Sequence, residues 1–88
     1  MAYHVRAAAT ILRRKQIEAA SGLPRSTLYF RISQGLWTRP VKLGGRSVGW
    51  PANEVEALNA ARIAGKSNAE VRRLVRELEA ARRAAWVQ

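Results

Sequence analysis

Residues 14–34 read RKQIEAASGLPRSTLYFRISQ, and this stretch decides the fold. Ile17 and Ala20 lie three positions apart, a spacing typical of one face of a short helix. The Ser-Gly-Leu that follows interrupts the pattern, and Gly22 suits the left-handed conformation that ends a helix. Pro24 is favourable in the first turn of a second helix, because its missing N–H has no helical partner there. Two helices joined by a short glycine-containing turn form a helix-turn-helix.

The second helix is predicted to end at Gly35 and to turn Leu28 and Ile32 inward, because these two lie four residues apart. Two short runs of β-forming residues follow it, Val-Lys-Leu at 41–43 and Ser-Val-Gly-Trp at 47–50. The Gly-Gly-Arg between the runs is a tight turn, so they predict a hairpin. A hairpin in this place is a wing. The predicted fold class is therefore mainly α with a small β-hairpin, a winged helix-turn-helix with an extra C-terminal helix.

Two more helices are predicted after the wing. Asn53 is a favourable N-cap for a helix that runs to about Ala64. Ser67 or Asn68 then caps a final helix that continues to about Trp86. The predicted organisation is a flexible segment at 1–10, a DNA-binding domain at 11–65 that enters through a short extended pair, Ile11-Leu12, and a C-terminal helix within 66–88.

In the final helix, apolar residues recur in alternating steps of three and four, at Val71, Leu74, Leu78 and Ala81. The pattern covers about two heptads, fewer than the three to four that argue for a coiled coil. Two interpretations stay open: the stripe docks on the body of its own chain, or it is an oligomerisation surface.

Positive charge is concentrated in the first half of the chain. Sixteen Lys and Arg face six acidic residues, for a net charge of +10. Nine of these bases but only one acid lie at or before Pro51, a net of +8. Such an excess favours a polyanionic partner, with a solvated face as the alternative. An anionic membrane is disfavoured, because the cations do not lie opposite a wide apolar helix face.

The composition argues against catalysis. The chain has no Cys and no Asp, and His4 is its single histidine. A zinc site, a Ser-His-Asp triad and a paired-Asp hydrolase site therefore lack their parts. We expect no enzymatic activity, no metal or other cofactor and no small-molecule substrate. No apolar stretch approaches the length of a membrane span and no signal-peptide pattern is present, so a cytoplasmic, nucleoid-associated location in a bacterium is expected.

Candidate DNA contacts lie on three predicted elements. The N-terminal residues of the second helix of a helix-turn-helix reach base edges in the major groove, where Arg suits bidentate pairing with guanine. The predicted DNA-binding residues are Arg25, Ser26, Thr27, Tyr29 and Arg31 in the second helix, Lys42, Gly45, Arg46 and Ser47 in the wing, and Arg14 and Lys15 at the start of the first helix.

Several of these residues have a purely structural alternative. Ser26 and Thr27 could simply cap the helix, and Tyr29 could pack against the core. Trp37 and Trp50 could be base-stacking platforms, but the usual burial of Trp favours a core role.

Three blocks of the sequence resemble the AlpA-type phage regulators and excisionases. They are ILRRKQI at 11–17, SGLPRSTLY at 21–29 and VKLGGRSVGW at 41–50, followed by Glu-Val at 54–55. The resemblance covers roughly residues 11–65, and the blocks stand in the family's order and spacing. It departs from the family where an aromatic-Pro pair is usual, here Trp37-Thr38, and at Pro51, where an apolar residue is more usual.

The resemblance implies a winged helix-turn-helix related to the excisionase and MerR groups, with Arg25, Ser26, Thr27 and Tyr29 in the major groove and Arg46 in the wing. It implies a recombination directionality factor, which binds repeated sites near an attachment site, bends the DNA and biases a tyrosine integrase toward excision. The expected partners are double-stranded DNA, that integrase and further copies of the chain on DNA. Two alternatives stay open: a transcriptional regulator of an integrase or excision operon, and a module that recruits integrase through the 67–87 helix.

Overall fold

The computed structural model describes residues 10–84, which form four helices and a three-stranded antiparallel sheet. In chain order the elements are β1 (Ile11–Leu12), α1 (Arg14–Ser21), α2 (Arg25–Ser33), β2 (Val41–Gly44), β3 (Ser47–Pro51), α3 (Ala52–Ile63) and α4 (Asn68–Ala84). The predicted fold class is confirmed. The flexible segment predicted at 1–10 and the helix end predicted at Trp86 lie outside the described residues, apart from Thr10.

α1 and α2 form the predicted helix-turn-helix. The turn between them is three residues long, and Gly22 takes the left-handed conformation with φ 74°. Pro24 stands as the N-cap of α2, directly before its first helical residue. Ile17 of α1 and Leu28 of α2 are fully buried in the common core.

β3 is the middle strand of the sheet, with β1 on one side and β2 on the other. The predicted extended entry is confirmed as β1, and its pairing with Trp50 and Pro51 makes a third strand that the sequence did not predict. Gly49 of β3 explains why this pairing is so close. A Cβ at Gly49 would lie 2.4 Å from Cγ2 of Ile11, a distance that real side chains do not tolerate.

Both tryptophans predicted to be core residues are buried, Trp37 at 2% and Trp50 at 0% exposure. The indole N–H of Trp50 donates to the carbonyl of Thr38 at 2.8 Å, which ties the middle strand to the loop between α2 and β2. This bond stabilises the buried position of Trp50, because an unpaired donor in the interior costs about 1–3 kcal/mol. Trp50 therefore fixes the sheet against the helix-turn-helix.

The predicted N-cap of α3 is wrong. The helix begins at Ala52, one residue after β3 ends, and Asn53 lies inside its first turn. Pro51 is the N-cap and offers no side-chain hydrogen bond. The N–H of Ala52 donates instead to the carbonyl of Thr10 at 2.7 Å. The chain just before β1 thus satisfies an N–H that a helix leaves open at its start.

α4 begins with a reciprocal cap. The hydroxyl of Ser67 accepts the N–H of Glu70 at 3.2 Å, and a carboxylate oxygen of Glu70 accepts the N–H of Ser67 at 2.9 Å. This is a capping box, so of the two predicted caps Ser67 is the one used. Hydrogen bonds from the backbone and hydroxyl of Ser67, helped by the charges of nearby Lys66 and Arg73, lower the pKa of Glu70.

The stripe of α4 docks on the body of its own chain, as one of the two open interpretations predicts. Its part in oligomerisation stays a prediction. Val71 is buried at 6% exposure and Val75 at 5%, while Leu74 and Leu78 are half-buried against the same core. Ala81 alone among the predicted oligomerisation residues is exposed. The stripe is too short to argue for a coiled coil. Most of its residues pack on the core, as the docking interpretation expects.

Polar contacts reinforce this docking, and we call their four residues, Arg39, Glu54, Glu79 and Arg82, the α4 latch. Glu54 of α3 is 2% exposed and accepts two hydrogen bonds from Arg82, at 2.7 and 2.8 Å. Arg82 also donates to the carbonyl of Arg39 at 2.6 Å. Glu79 accepts the backbone N–H of Arg39 at 2.8 Å and its guanidinium at 3.1 Å. The latch therefore binds α4 to α3 and to the loop that precedes the wing.

Burial in the latch raises the pKa of Glu79, but the hydrogen bonds from Arg39 and the positive charges of Arg39 and Arg82 outweigh it, so the pKa of Glu79 is lowered.

Candidate nucleic-acid interface

The outward side of α2 is a surface of exposed residues. Leu28 is buried and Ile32 half-buried against the core, so the opposite side of the helix faces outward. Residues that share this side recur in steps of three and four. The exposed residues of α2 are Arg25, Ser26, Tyr29, Phe30 and Ser33, and we call them the α2 face.

Three of the residues predicted in α2 lie on this face. Arg25 is the first residue of the helix, and Ser26 and Tyr29 follow it, all three exposed. They stand at the N-terminal end of the second helix, where a helix-turn-helix contacts base edges.

Thr27 and Arg31 are half-buried and lie at the flank of α2, outside the α2 face. One terminal nitrogen of Arg31 is buried and has no hydrogen-bond partner within residues 10–84. The structure thus separates these two predicted contacts from the α2 face.

Tyr29 links the α2 face to the core. Its ring meets Trp50 edge-on, with ring centroids 6.5 Å apart and an interplanar angle of 67°. The guanidinium carbon of Arg25 lies over the Tyr29 ring, 6.0 Å from its centroid. A cation over an exposed ring gains about 0.5–1 kcal/mol. Tyr29 therefore packs on Trp50, as its structural alternative predicts, and also limits the freedom of Arg25. Its contact with DNA stays a prediction.

The predicted cations at the start of α1 differ in their surroundings. Arg14 forms a salt bridge with Glu18 one turn along the helix, so its charge is largely compensated. Lys15 is exposed. Arg13, the N-cap of α1, donates from Nε to the carbonyl of Val48 at 2.8 Å and so ties α1 to β3. Of the two predicted contacts, only Lys15 offers a free charge.

The predicted wing is the β2–β3 hairpin. Its pairing joins Val41 to Gly49 and Lys42 to Val48, and then shifts by one residue before the turn. Gly45 at the tip has φ 54°, a conformation that favours glycine, and nothing lies within 4 Å of an added Cβ. Lys42, Gly45 and Arg46 are exposed, while Ser47 is half-buried. The wing thus presents two cations and a bare backbone tip.

Free positive charge gathers on the helix-turn-helix and the wing. Residues 10–84 contain three salt bridges, Arg14–Glu18, Arg39–Glu79 and Arg82–Glu54. Up to Pro51, the cations of this part that have no carboxylate partner are Arg13, Lys15, Arg25, Arg31, Lys42 and Arg46. Such an uncompensated set attracts a polyanion.

Two residues of the α2 face, Phe30 and Ser33, were not predicted from the sequence. Phe30 is 63% exposed, although it is one of the most apolar residues of the helix. Its position two residues after Leu28 and two before Ile32 was a usable signal, since those two define the opposite side of the helix.

Other kinds of site find no support in the part of the chain that the structure describes. Residues 10–84 contain no group of three or more His, Cys, Asp or Glu side chains that could hold a metal ion. Over the same residues, no helix combines the length and the apolar character needed to cross a bilayer.

Comparison with known proteins gives a family. The model of the family described as "Prophage CP4-57 regulatory protein (AlpA)" matches residues 10–63, which include the helix-turn-helix, the wing and α3. The chain is also 44% identical over 55 residues to the "Uncharacterized protein ORF88" of Enterobacteria phage P4. That match spans 62% of this chain and 62% of the relative, so the chain covers less than two thirds of the relative's length. No solved structure matches the chain.

Proposed function

The chain belongs to the AlpA family of phage regulatory proteins, and we propose that it binds double-stranded DNA through α2 and the wing. The observation that carries the proposal is the α2 face, which offers Arg25, Ser26 and Tyr29 at the N-terminal end of the second helix of a helix-turn-helix. No acidic residue lies on this face. The unpaired cations of α1 and the wing belong to the same domain as this face and can neutralise phosphates.

Each element has a distinct part in this proposal. Arg25, held by the Tyr29 ring, pairs with a base edge and gives sequence preference. Lys15, Lys42 and Arg46 contact phosphates and fix the position of the domain without reading sequence. The protein has no reaction of its own; it works in the bacterial cytoplasm on the DNA of a phage or prophage.

The more specific role we propose is that of an excisionase. Copies bound side by side at repeated sites near an attachment site would bend the DNA and bias a tyrosine integrase toward excision. The support is the resemblance of the three sequence blocks to the AlpA-type excisionases. These blocks lie on β1, the helix-turn-helix and the wing.

The second candidate is a transcriptional regulator of an integrase or excision operon. It is favoured by the description of the matching family, which is that of a regulatory protein. One domain can serve both roles, because each needs only specific DNA binding.

The first test is a binding titration of the full chain on DNA from the attachment region of its own element and on a shuffled DNA of equal composition. Specific binding is expected to weaken with salt at a slope that corresponds to about four to seven phosphates per protomer. Equal, weak binding to both DNAs would contradict the proposal.

An excision assay then separates the two roles. The element's integrase is incubated with an integrated template, with and without the protein. Excision that depends on the protein supports the excisionase; specific binding without any effect on excision, together with a changed promoter output in a reporter, supports the regulator.

A further inference from the structure

The α2 face contains one apolar residue that the binding scheme above does not use. Phe30 is 63% exposed, and it lies one helical turn after Ser26 on the same side of α2. Burying a Phe side chain is favourable, so an exposed Phe forgoes that gain in the free protein. A partner that covers Phe30 would recover it.

We propose that Phe30 packs against the C5-methyl groups of thymine in the major groove and makes the protein prefer thymine at one or two positions of its site. This inference rests on the proposed DNA binding. The thymine methyl is the apolar group that a base pair presents in the major groove, and a Phe side chain is one of its usual contacts.

The geometry of α2 fits this role. Phe30 lies four residues after Ser26, which places it roughly 6 Å further along the helix axis. Base pairs are spaced by about 3.4 Å along the duplex. When Arg25 and Ser26 contact one base pair, Phe30 therefore reaches a pair about two steps away.

The surroundings of Phe30 favour DNA over a protein partner. On the α2 face it is flanked by Ser26 and Ser33, small polar residues that suit contacts with base edges and phosphates. Protein hot spots usually sit within a rim of further contacts that excludes water. The unpaired cations of the helix-turn-helix and the wing match the charge of DNA.

The test replaces thymine with deoxyuridine, which removes the methyl group and leaves the hydrogen-bonding pattern of the base unchanged. The full chain is titrated on its specific site, with each thymine replaced in turn. At one or two positions the wild type is expected to bind about fourfold more weakly, the effect of one buried methyl group. Phe30→Ala is expected to bind thymine DNA more weakly and to show no further loss with deoxyuridine.

Two variants complete the experiment. Ile63→Ala truncates another exposed apolar residue, at the end of α3, and should keep the wild-type response to deoxyuridine. Phe30→Leu retains an apolar side chain and should keep part of the wild-type response to deoxyuridine. Thermal unfolding of each variant verifies that the fold is intact, as the exposure of Phe30 leads us to expect.

The outcomes are distinct. A wild type that is indifferent to deoxyuridine at every position, or a Phe30→Ala protein that responds like the wild type, would overturn the inference while specific binding survives. Unchanged affinity of Phe30→Ala would also overturn it. Absence of specific binding by the wild type would instead contradict the proposed function itself.

Discussion

Arg25 on α2 and Arg82 on α4 carry the same guanidinium group in opposite surroundings. Arg25 is exposed, lies beside the Tyr29 ring and forms no salt bridge within residues 10–84, whereas Arg82 donates two hydrogen bonds to the buried carboxylate of Glu54. The unpaired charge of Arg25 is available to a partner. The paired charge holds the last helix on the domain. Basic residues in this chain therefore form two sets, one available for binding and one structural. The contacts that each side chain makes, and not its residue type, decide to which set it belongs.

The largest effect is expected from breaking the buried pair. Arg82→Ala leaves the carboxylate of Glu54 buried without its partner, and loss of one member of a buried ion pair costs about 3–5 kcal/mol. This is a large share of the stability of a domain of this size. Urea unfolding measures the free energy of unfolding directly. Arg83→Ala, at the exposed neighbouring position, is the matched control and should change it by less than about 0.5 kcal/mol. Equal stability of the two variants would show that the latch does not hold α4.

Arg25→Ala should have the reverse profile. Loss of a bidentate base contact costs about 1–3 kcal/mol of binding and relaxes specificity at one position, while the free energy of unfolding stays close to that of the wild type. Lys42→Ala is the comparison, because loss of a phosphate contact weakens all sequences alike and lowers the salt slope by about one. Binding to the specific and shuffled DNAs measures both. If Arg25→Ala keeps full discrimination, Arg25 is not the base reader.

A third prediction concerns the close approach of β1 to β3. Gly49→Ala places a Cβ where Cγ2 of Ile11 lies, and overpacking of this kind costs about 1–3 kcal/mol. Adding Ile11→Ala removes the clashing carbon and should restore part of the loss. Gly45→Ala is the control, since its cost comes from φ 54° and not from a neighbour. Its stability should not depend on Ile11, so a double-mutant cycle separates the two causes.

The helix-turn-helix and the wing were predictable because their signals are local. Gly22 and the Gly-Gly turn act within a few residues of where they stand, so the sequence predicts their conformations directly. Pro24 stands one residue before its predicted place, as the extended N-cap of α2. The pairing of β1 with β3 was not predictable, because it depends on residues about forty positions apart that only the folded chain brings together. The same reason explains Asn53: its local propensity as a cap was overridden because β3 runs directly into α3.

The candidate site shows the same division. Exposure of Arg25, Ser26 and Tyr29 follows from the helical period, which also could have indicated Phe30. Arg14, Arg39 and Arg82 are not free to bind a polyanion, because each forms a salt bridge with a carboxylate. Only the partner of Arg14, Glu18, lies within one helical turn in the sequence. Net charge therefore predicted a polyanion partner without showing which cations remain free for it.

The smallest effect is expected at the exposed end of the latch. The pKa of Glu79 is lowered from its ordinary value of 4.5 in the folded protein, so its contribution to stability is present above about that pH and is lost as the pH falls through the folded value. Glu79→Gln should therefore be less stable than the wild type at neutral pH and should approach it as the pH falls below 4.5. The side chain of Arg39 is 76% exposed, so screening keeps the difference below about 1 kcal/mol. Melting temperatures at several pH values measure this, with Glu77→Gln as the control at an exposed position of the same helix. A difference that stays constant across the series would mean that the charge of Glu79 does not contribute to the stability.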